Sequence, residues 1–291
     1  MSLALFRFVW QHPLNAANRL AALARVLRWQ LAVRLMPGPI AFPFVEGTQL
    51  FATRGMTGAT GNWYCGLHEV AEMVFVLHLL RPDETFVDIG ANIGSYTVLA
   101  AGGAKARVVA VEPIPSTFAR LAQNVILNDL EDRVRLWRGG LSDMACTLRF
   151  SSELDTVNHV LVEGEGGTAL DVPVQRLDDL LGGEAPVLMK IDVEGHEWPV
   201  LRGAPRTLSN PALLAVVMET NGSGARYGVG DDKLMETMRG YGFEAYGYDP
   251  FARTLLAGPA TEGNSVFVRN REAVHERVRS AGRFRAGSAT I

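Results

Sequence analysis

The densest group of reactive side chains in the sequence follows the apolar residues 187–189. Asp192, Glu194 and His196 alternate there within a few positions. A carboxylate or an imidazole can take a proton from a reacting group, which accelerates a reaction typically by ~10²–10⁴-fold. His196 is the first candidate for this general base, because the unperturbed pKa of histidine is near ~6.5. Asp192 is the second candidate, and Glu194 is the third member of the predicted catalytic group.

A second polar group follows the next apolar run, residues 213–218. Glu219 and Asn221 stand there, and together with Asp192 they offer the oxygen ligands that Mg²⁺ prefers. A bound magnesium ion would lower the pKa of an acceptor hydroxyl. Helix capping is the alternative role for the same carboxylates, so the sequence leaves a magnesium site open beside metal-free chemistry.

A glycine-rich turn between residues 86 and 96 is the strongest binding signal. Gly90 and Gly94 follow an apolar run that ends at Asp88, and glycine lets a backbone come close to a ligand. The spacing lacks the G-x-G-x-x-G pattern that seats a pyrophosphate on a helix N-terminus. A carboxylate at Asp88 would repel a diphosphate, whereas it suits the cationic amino group of S-adenosylmethionine. Glu112, which ends the next apolar run, can accept both ribose hydroxyls of an adenosine, in S-adenosylmethionine or in NAD.

The elements that must position these groups alternate between strand and helix patterns. Strands are predicted at 85–89, 107–112, 134–141, 187–192, 213–219, 244–248 and 264–268. Helices are predicted at 69–80, 95–102, 116–128, 197–208 and 232–241. Such alternation is typical of a parallel sheet with helices on its faces, which binds ligands at the carboxyl ends of its strands. Two short strands, 148–151 and 172–175, are predicted to be inserted before the fourth main strand.

The first 60 residues are predicted to form an N-terminal helical extension, followed by a cofactor-binding domain over residues 61–270 and a C-terminal tail over residues 271–291. Between residues 15 and 36, leucines and other apolar residues recur at helical spacing, together with four arginines and no acidic residue. This helix either packs on the domain as a cap, packs on a second copy of the chain in a homodimer, or lies on an anionic membrane surface.

Four motifs of the sequence resemble those of the FkbM-type methyltransferases. They are Gly61-Asn-Trp-Tyr-Cys-Gly-Leu-His-Glu69, Phe86-Val-Asp-Ile-Gly-Ala-Asn-Ile-Gly-Ser-Tyr-Thr97, Val111-Glu-Pro113, and Lys190-Ile-Asp-Val-Glu-Gly-His-Glu197 with Val200-Leu-Arg-Gly-Ala204. The resemblance covers about residues 60 to 270. It implies an α/β class I methyltransferase fold, in which a seven-stranded Rossmann-like sheet of order 3-2-1-4-5-7-6 carries helices on both faces. It also implies S-adenosylmethionine as methyl donor and O-methylation of a hydroxyl on a small molecule or a glycan.

The resemblance points to further contacts with the cofactor. Ser142 and Asp143 follow the third strand, where the adenine edge meets a class I methyltransferase, and Asp143 can accept a hydrogen bond from the adenine amino group. A plain turn after the strand is the alternative. The predicted cofactor-binding residues are Glu69, Asp88, Gly90, Ala91, Asn92, Gly94, Ser95, Tyr96, Glu112, Pro113, Ser142, Asp143 and Asp192.

Composition and charge argue against several other classes of protein. The chain has 291 residues, of which 48% are hydrophobic and 20% charged, with a net charge of −3. Because nucleic-acid binders are usually basic, no nucleic-acid partner is predicted. No run of eighteen apolar residues occurs, so no transmembrane segment is expected. The few cysteines and the lack of a secretory pattern indicate a cytoplasmic location.

Three other functions stay open at this point. An oxidoreductase that binds NAD on a similar sheet is disfavoured by the missing glycine pattern and by Asp88. A nucleic-acid methyltransferase is disfavoured by the acidic net charge. A scaffold that keeps the fold without catalysis is disfavoured by the carboxylates at the predicted strand ends.

Overall fold

A computed structural model of the chain describes residues 3–36, 38–152, 158–162, 164–260, 263–287 and 289–291. The strands are β1 Ile40–Pro43, β2 Gln49–Ala52, β3 Thr85–Ile89, β4 Arg107–Glu112, β5 Val134–Arg138, β6 Gly140–Leu141, β7 Cys146–Ser151, β8 Ala169–Gln175, β9 Leu188–Ile191, β10 Ala215–Glu219, β11 Glu244–Asp249, β12 Thr254–Ala257, β13 Asn264–Val268, β14 Arg285–Ala286 and β15 Ala289–Thr290. The α-helices are α1 Leu3–Gln11, α2 Arg19–Leu35, α3 Thr57–Cys65, α4 Val70–Leu79, α5 Ser95–Val98, α6 Pro115–Leu127, α7 Leu177–Leu181, α8 Glu197–Arg202, α9 Pro205–Ser209, α10 Asp231–Gly240 and α11 Arg271–Arg279.

The central sheet has the strand order β5-β4-β3-β9-β10-β13-β11-β12 in the described residues. Strands β5, β4, β3, β9 and β10 are parallel, and β13 is antiparallel to β10. The predicted order 3-2-1-4-5-7-6 is therefore confirmed. The sheet has one strand more than predicted, because β12 pairs with β11 at the edge.

The inner parallel strands β3, β4, β9 and β10 are buried on both faces, as their unbroken apolar runs require. Successive side chains of β3 point to opposite faces. Phe86 joins a core cluster with the N-terminal elements, α4 and α11, whereas Val87 joins a second cluster with α8, α9 and α10. The two core clusters hold the strands from both faces, and so they fix the position of the strand ends that carry the predicted site residues.

Two predicted helices differ in form from the expectation. Residues 197–208 form α8 and α9 instead of one helix. Gly203, between them, packs against Ser142, whose carbonyl oxygen would lie 2.1 Å from an added Cβ. Pro205 then begins α9 at a first-turn position that proline favours. The predicted helix 95–102 consists of α5 followed by a π-helical turn, Leu99–Gly103.

The predicted strand 134–141 is also divided. It breaks at Gly139, where an added Cβ would lie 2.7 Å from the carbonyl oxygen of Pro173. After the break, β6 leaves the central sheet and pairs with β8, which in turn pairs with β7. The resulting three-stranded sheet stands beside the carboxyl end of β4.

The N-terminal extension is only partly helical, because the hairpin β1–β2 follows α2. The buried side chains Ala22, Val26 and Trp29 of α2 pack into the main core. At the other end of the chain, α11 packs on α4, and Ala286 pairs with Val45 of the N-terminal part. In the described residues, no helix has the length and apolar character needed to cross a membrane.

Candidate active site

A cavity of about 270 Å³ opens at the carboxyl ends of β3, β4, β9 and β10. The strand order reverses direction between β3 and β9, and this switch point is where open α/β sheets bind ligands. Most of the predicted site residues line the cavity: Glu69, Asp88, Gly90, Ala91, Asn92, Ser95, Tyr96, Glu112, Pro113, Asp192, Glu194, His196 and Glu219.

Asp88 supplies a buried negative group at the floor of the cavity. Its side chain is 1% exposed, and its Oδ2 accepts a hydrogen bond of 2.6 Å from Thr97 Oγ1. Burial raises the pKa of Asp88, while the positive charge of Lys190 opposes that shift. Its Oδ1 has no hydrogen-bond partner among the described residues. A buried acceptor without a partner is costly, and a ligand ammonium group would satisfy it.

Glu112 is held by the backbone in an orientation that leaves room for further donors. Its Oε2 accepts from the amide of Asn92 and its Oε1 from the amide of Ile114, both at 2.9 Å. Burial raises the pKa of Glu112 to about 7, against the effect of these two amides. Each carboxylate oxygen can accept a second hydrogen bond, so the two oxygens together match a pair of ribose hydroxyls.

Gly90 is required by the protein itself as well as by a ligand. Its φ is 77°, and an added Cβ would lie 1.8 Å from the carbonyl oxygen of Asp192. The absence of a side chain therefore lets the end of β9 approach the turn after β3. This contact brings the predicted catalytic group beside the predicted cofactor site, a reason for the glycine that the sequence pattern did not reveal.

Lys190 is the central charged group that sequence reasoning missed. It is 3% exposed, its Nζ lies 2.5 Å from Asp192 Oδ2, and it stands 4.7 Å above the ring of Tyr96. Tyr96 Oη in turn donates to Glu69 Oε2 at 2.7 Å. Burial lowers the pKa of Lys190, but Asp192, Glu69 and Asp88 together raise it above its ordinary value. A lysine inside the apolar strand β9 was the available signal.

Three carboxylates form an acidic cluster opposite Asp88. Asp192, Glu194 and Glu219 have oxygen atoms within 4.8 Å of one another. Burial and the neighbouring carboxylates raise the pKa of Glu219 to about 8 and that of Glu194 to about 7. Asn221, also predicted as a metal ligand, is exposed, and its Nδ2 donates to Glu219 Oε1 at 2.8 Å. The structure thus adds Glu194 to the oxygen ligands that the sequence suggested.

His196 lines the cavity with a partly buried imidazole. Its Nε2 lies 3.2 Å from Ser142 Oγ, and its Nδ1 has no partner within the described part of the chain. Burial lowers the pKa of His196 to about 4, although Asp143 acts in the opposite direction. The imidazole is therefore neutral at pH 7.

Three predicted cofactor contacts do not line the cavity as the described residues define it: Gly94, Ser142 and Asp143. Gly94 packs against Leu121, whose Cδ1 would lie 2.6 Å from an added Cβ. Asp143 Oδ2 pairs with Arg202 at 3.1 Å, and the adenine contact of Asp143 stays a prediction. The preceding backbone of β6, at Gly140 and Leu141, lines the cavity instead.

Residues of α3 and of the three-stranded sheet also line the cavity. Asn62 on α3 lines it, donates to Ser95 Oγ at 3.2 Å and accepts from the amide of His68 at 2.8 Å. The three-stranded sheet adds Phe150, and Val160 lies beside it. These apolar groups form a wall on the side of the cavity that Glu112 occupies.

The sheet order, the glycine turn and the acidic strand ends define a class I methyltransferase. Residues 88–245 match the family described as "Methyltransferase FkbM domain", and the chain belongs to the FkbM methyltransferase family. It is an S-adenosylmethionine-dependent methyltransferase. The unpaired Oδ1 of Asp88 and the backbone-held carboxylate of Glu112 fit the amino group and the ribose of this cofactor.

Several known proteins are similar to this chain. A hexuronic acid methyltransferase, AglP, of Haloferax volcanii is 29% identical over 201 residues, which are 66% of this chain and 80% of that protein. Methyltransferase sdnD of Sordaria araneosa is 31% identical over 152 residues, or 40% of this chain and 59% of that protein. The solved structure of a methyltransferase from Pyrococcus furiosus is 12% identical, with a TM-score of 0.42 over 85% of this chain and 97% of that chain.

Proposed function

We propose that the enzyme methylates a hydroxyl group of an uncharged acceptor, which is a small molecule or a glycan. The charge of the cavity carries this proposal. Six carboxylates line it: Glu69, Asp88, Glu112, Asp192, Glu194 and Glu219. Lys190 is the one lysine or arginine among the described lining residues. Where these carboxylates are ionised, their excess of negative charge suits a cationic methyl donor and disfavours an anionic acceptor. The similarity to a hexuronic acid methyltransferase supports a saccharide acceptor, and the negative cavity favours an uncharged member of that class over an anionic one such as a hexuronic acid.

In this proposal the residues near β3 and β4 hold the donor. Asp88 binds its amino group and Glu112 binds its ribose, so that the bound sulfonium supplies an activated methyl group. Alignment of donor and acceptor can by itself remove several kcal/mol of the barrier, roughly 7–11 in favourable cases. Gly90 contributes indirectly, since it allows β9 to present the acceptor-binding side of the cavity at close range.

The proton of the acceptor hydroxyl goes to the acidic cluster, and Glu219 is the proposed acceptor of that proton. Its Oε1 is held by Asn221, whereas its buried Oε2 is left without a partner in the described residues. A pKa of about 8 lies near the operating pH, which is the condition for efficient general-base catalysis. The pKa of His196 is lowered to about 4, which makes the histidine a weaker base than Glu219. Asp192 is already engaged by Lys190.

A metal-assisted reaction is the second candidate, because the acidic cluster offers three oxygen ligands close together. Magnesium would bind Asp192, Glu194 and Glu219, and the acceptor would then need two adjacent oxygens. Against this candidate, the ammonium of Lys190 already neutralises Asp192 at 2.5 Å. Activity that survives a chelator and is unchanged by added Mg²⁺ would exclude it.

The test combines cofactor binding with methyl transfer. Titration calorimetry with S-adenosylhomocysteine should show binding that Glu112→Gln weakens roughly 10–100-fold, the value of about one to two hydrogen bonds to a charged group. Glu219→Gln should leave this affinity within about twofold and lower kcat by ~10²-fold or more. His196→Ala should lower kcat less than Glu219→Gln does. If His196→Ala lowers kcat more than Glu219→Gln does, His196 and not Glu219 is the general base.

Acceptor charge is tested with matched pairs of sugars that differ only at C6, a hexoside and the corresponding hexuronide. Transfer of labelled methyl groups from S-adenosylmethionine is measured for each pair. The proposal expects transfer to the uncharged member and weaker transfer, if any, to the anionic member. A clear preference for hexuronides would contradict it.

A further inference from the structure

We propose that the outward face of α2 is a docking surface for an anionic lipid bilayer. This helix has two apolar faces. Ala22, Val26 and Trp29 form the buried face, at spacings of four and three residues. The opposite face carries leucines at spacings of seven and four residues, which a helix of 3.6 residues per turn brings into one stripe. The members of this stripe and their exposed fractions are Leu20 74%, Leu27 66%, Leu31 59% and Leu35 70%.

The stripe has no cover in the described structure. Four of the ten large apolar side chains that are exposed in the described residues lie in this stripe, and Met36 directly follows it in the sequence. Four leucines in one continuous row are more than the scattered apolar residues of an ordinary protein surface, and such patches mark interaction sites. We therefore expect the stripe to contact a partner whose surface is apolar at the centre of the contact.

The charges beside the stripe identify that partner. Arg28 and Arg34 border it on either side, and Arg7 on α1 and Arg19 at the start of α2 are exposed as well. None of these four forms a salt bridge with another described residue. The sequence holds no acidic residue before Glu46. An exposed leucine row between unpaired arginines is the pattern of a helix that lies in a membrane interface and contacts anionic head groups.

The same charges argue against a second copy of the chain as the occupant. A two-fold dimer brings the same surface patch of both subunits together. Arg28 and Arg34 would then face equivalent arginines of the partner, with no nearby carboxylate to neutralise them. A bilayer that contains anionic lipids supplies both the apolar interior for the leucines and the negative charge for the arginines.

Flotation with lipid vesicles tests the proposal on the full chain. The vesicles contain phosphatidylcholine alone or with about 30% phosphatidylglycerol, because the attraction depends on anionic lipid. The protein should float with the anionic vesicles at about 0.1 M salt and much less at about 0.5 M, where screening is stronger. It should not float with phosphatidylcholine alone to a comparable extent.

Two variants separate the apolar from the charged contribution. Leu27→Ser with Leu31→Ser should weaken binding by roughly a hundredfold, since each buried leucine is worth about tenfold or more. Arg28→Ser with Arg34→Ser should weaken it by roughly 30-fold, at about 1 kcal/mol for each arginine. Ile126→Ser is the matched control, because Ile126 is 59% exposed on α6, away from the stripe.

Each outcome decides the proposal. Unchanged affinity for S-adenosylhomocysteine and an unchanged melting temperature in the two double variants show that the fold and the cofactor site are intact. Flotation lost in both double variants and kept in Ile126→Ser supports the proposal. Wild-type protein that fails to float, or that floats as well with leucines or arginines replaced, overturns it. A dimer in sedimentation velocity that the leucine variant abolishes also overturns it, in favour of self-association.

Discussion

Replacing Lys190 by methionine removes the buried positive charge that stabilises the carboxylates of the cavity. At an effective dielectric constant of about 20, a separation of 2.5 Å between Nζ and Asp192 Oδ2 corresponds to an attraction of roughly 6–7 kcal/mol. The cost of burying the ammonium group offsets several kcal/mol of this. Removal of one partner from a buried ion pair typically destabilises a protein by about 3–5 kcal/mol. We expect a loss of this size for Lys190→Met in the ligand-free enzyme at pH 8.

The matched control for this change is Lys233→Met. Lys233 lies 2.9 Å from Glu236, but both side chains are exposed, and exposed pairs contribute at most about 1 kcal/mol. Urea denaturation followed by circular dichroism measures both variants against the wild type. The loss in Lys190→Met should shrink at pH 6, because Glu194 and Glu219 then hold protons and repel each other less. A midpoint equal to that of Lys233→Met at pH 8 would refute this view of the network.

Other predictions follow from the glycine turn and from the titrating groups. Gly90→Ala should destabilise the fold far more than Gly182→Ala. The backbone φ is positive at both glycines (77° and 60°), but only at Gly90 would an added Cβ meet a carbonyl oxygen, that of Asp192, at 1.8 Å. Equal melting temperatures of the two variants would contradict this close approach. The ligand-free enzyme should lose stability as pH rises from about 6 through about 8. Glu112 and Glu194 have pKa values raised to about 7 and Glu219 to about 8, against ~4.3 when unfolded, so the folded state holds more protons. His196, with its pKa lowered to about 4, opposes this loss mainly below ~6.5, and a melting temperature that rises between pH 6 and pH 8 would refute the prediction. The preference for S-adenosylmethionine over S-adenosylhomocysteine should increase from pH 6 to pH 8, as ionised carboxylates attract the sulfonium; calorimetry at both values decides this.

The sequence by itself determined the parallel α/β class and the edge of the sheet at which the ligands bind, whereas the strand order was what the family resemblance implied. Alternating apolar runs and helical patterns leave few ways to wind a parallel sheet, and the ends of its strands must meet at one edge. Asp88, Glu112 and Asp192 end or follow such strands, so their presence in one cavity could be predicted from local pattern and connectivity. These inferences need no knowledge of side-chain direction.

The tertiary structure alone decided which side chains meet within that edge. Glu194 joins Asp192 and Glu219 in the acidic cluster, and Asp143 pairs with Arg202. The sequence did not show these contacts, because a loop residue can point to either side of the chain with no periodicity to fix it. The burial of Lys190 among carboxylates depends on residues far apart in sequence. The pKa values of the site depend on burial in the same way, and burial is a property of the packed chain that no single segment of sequence carries.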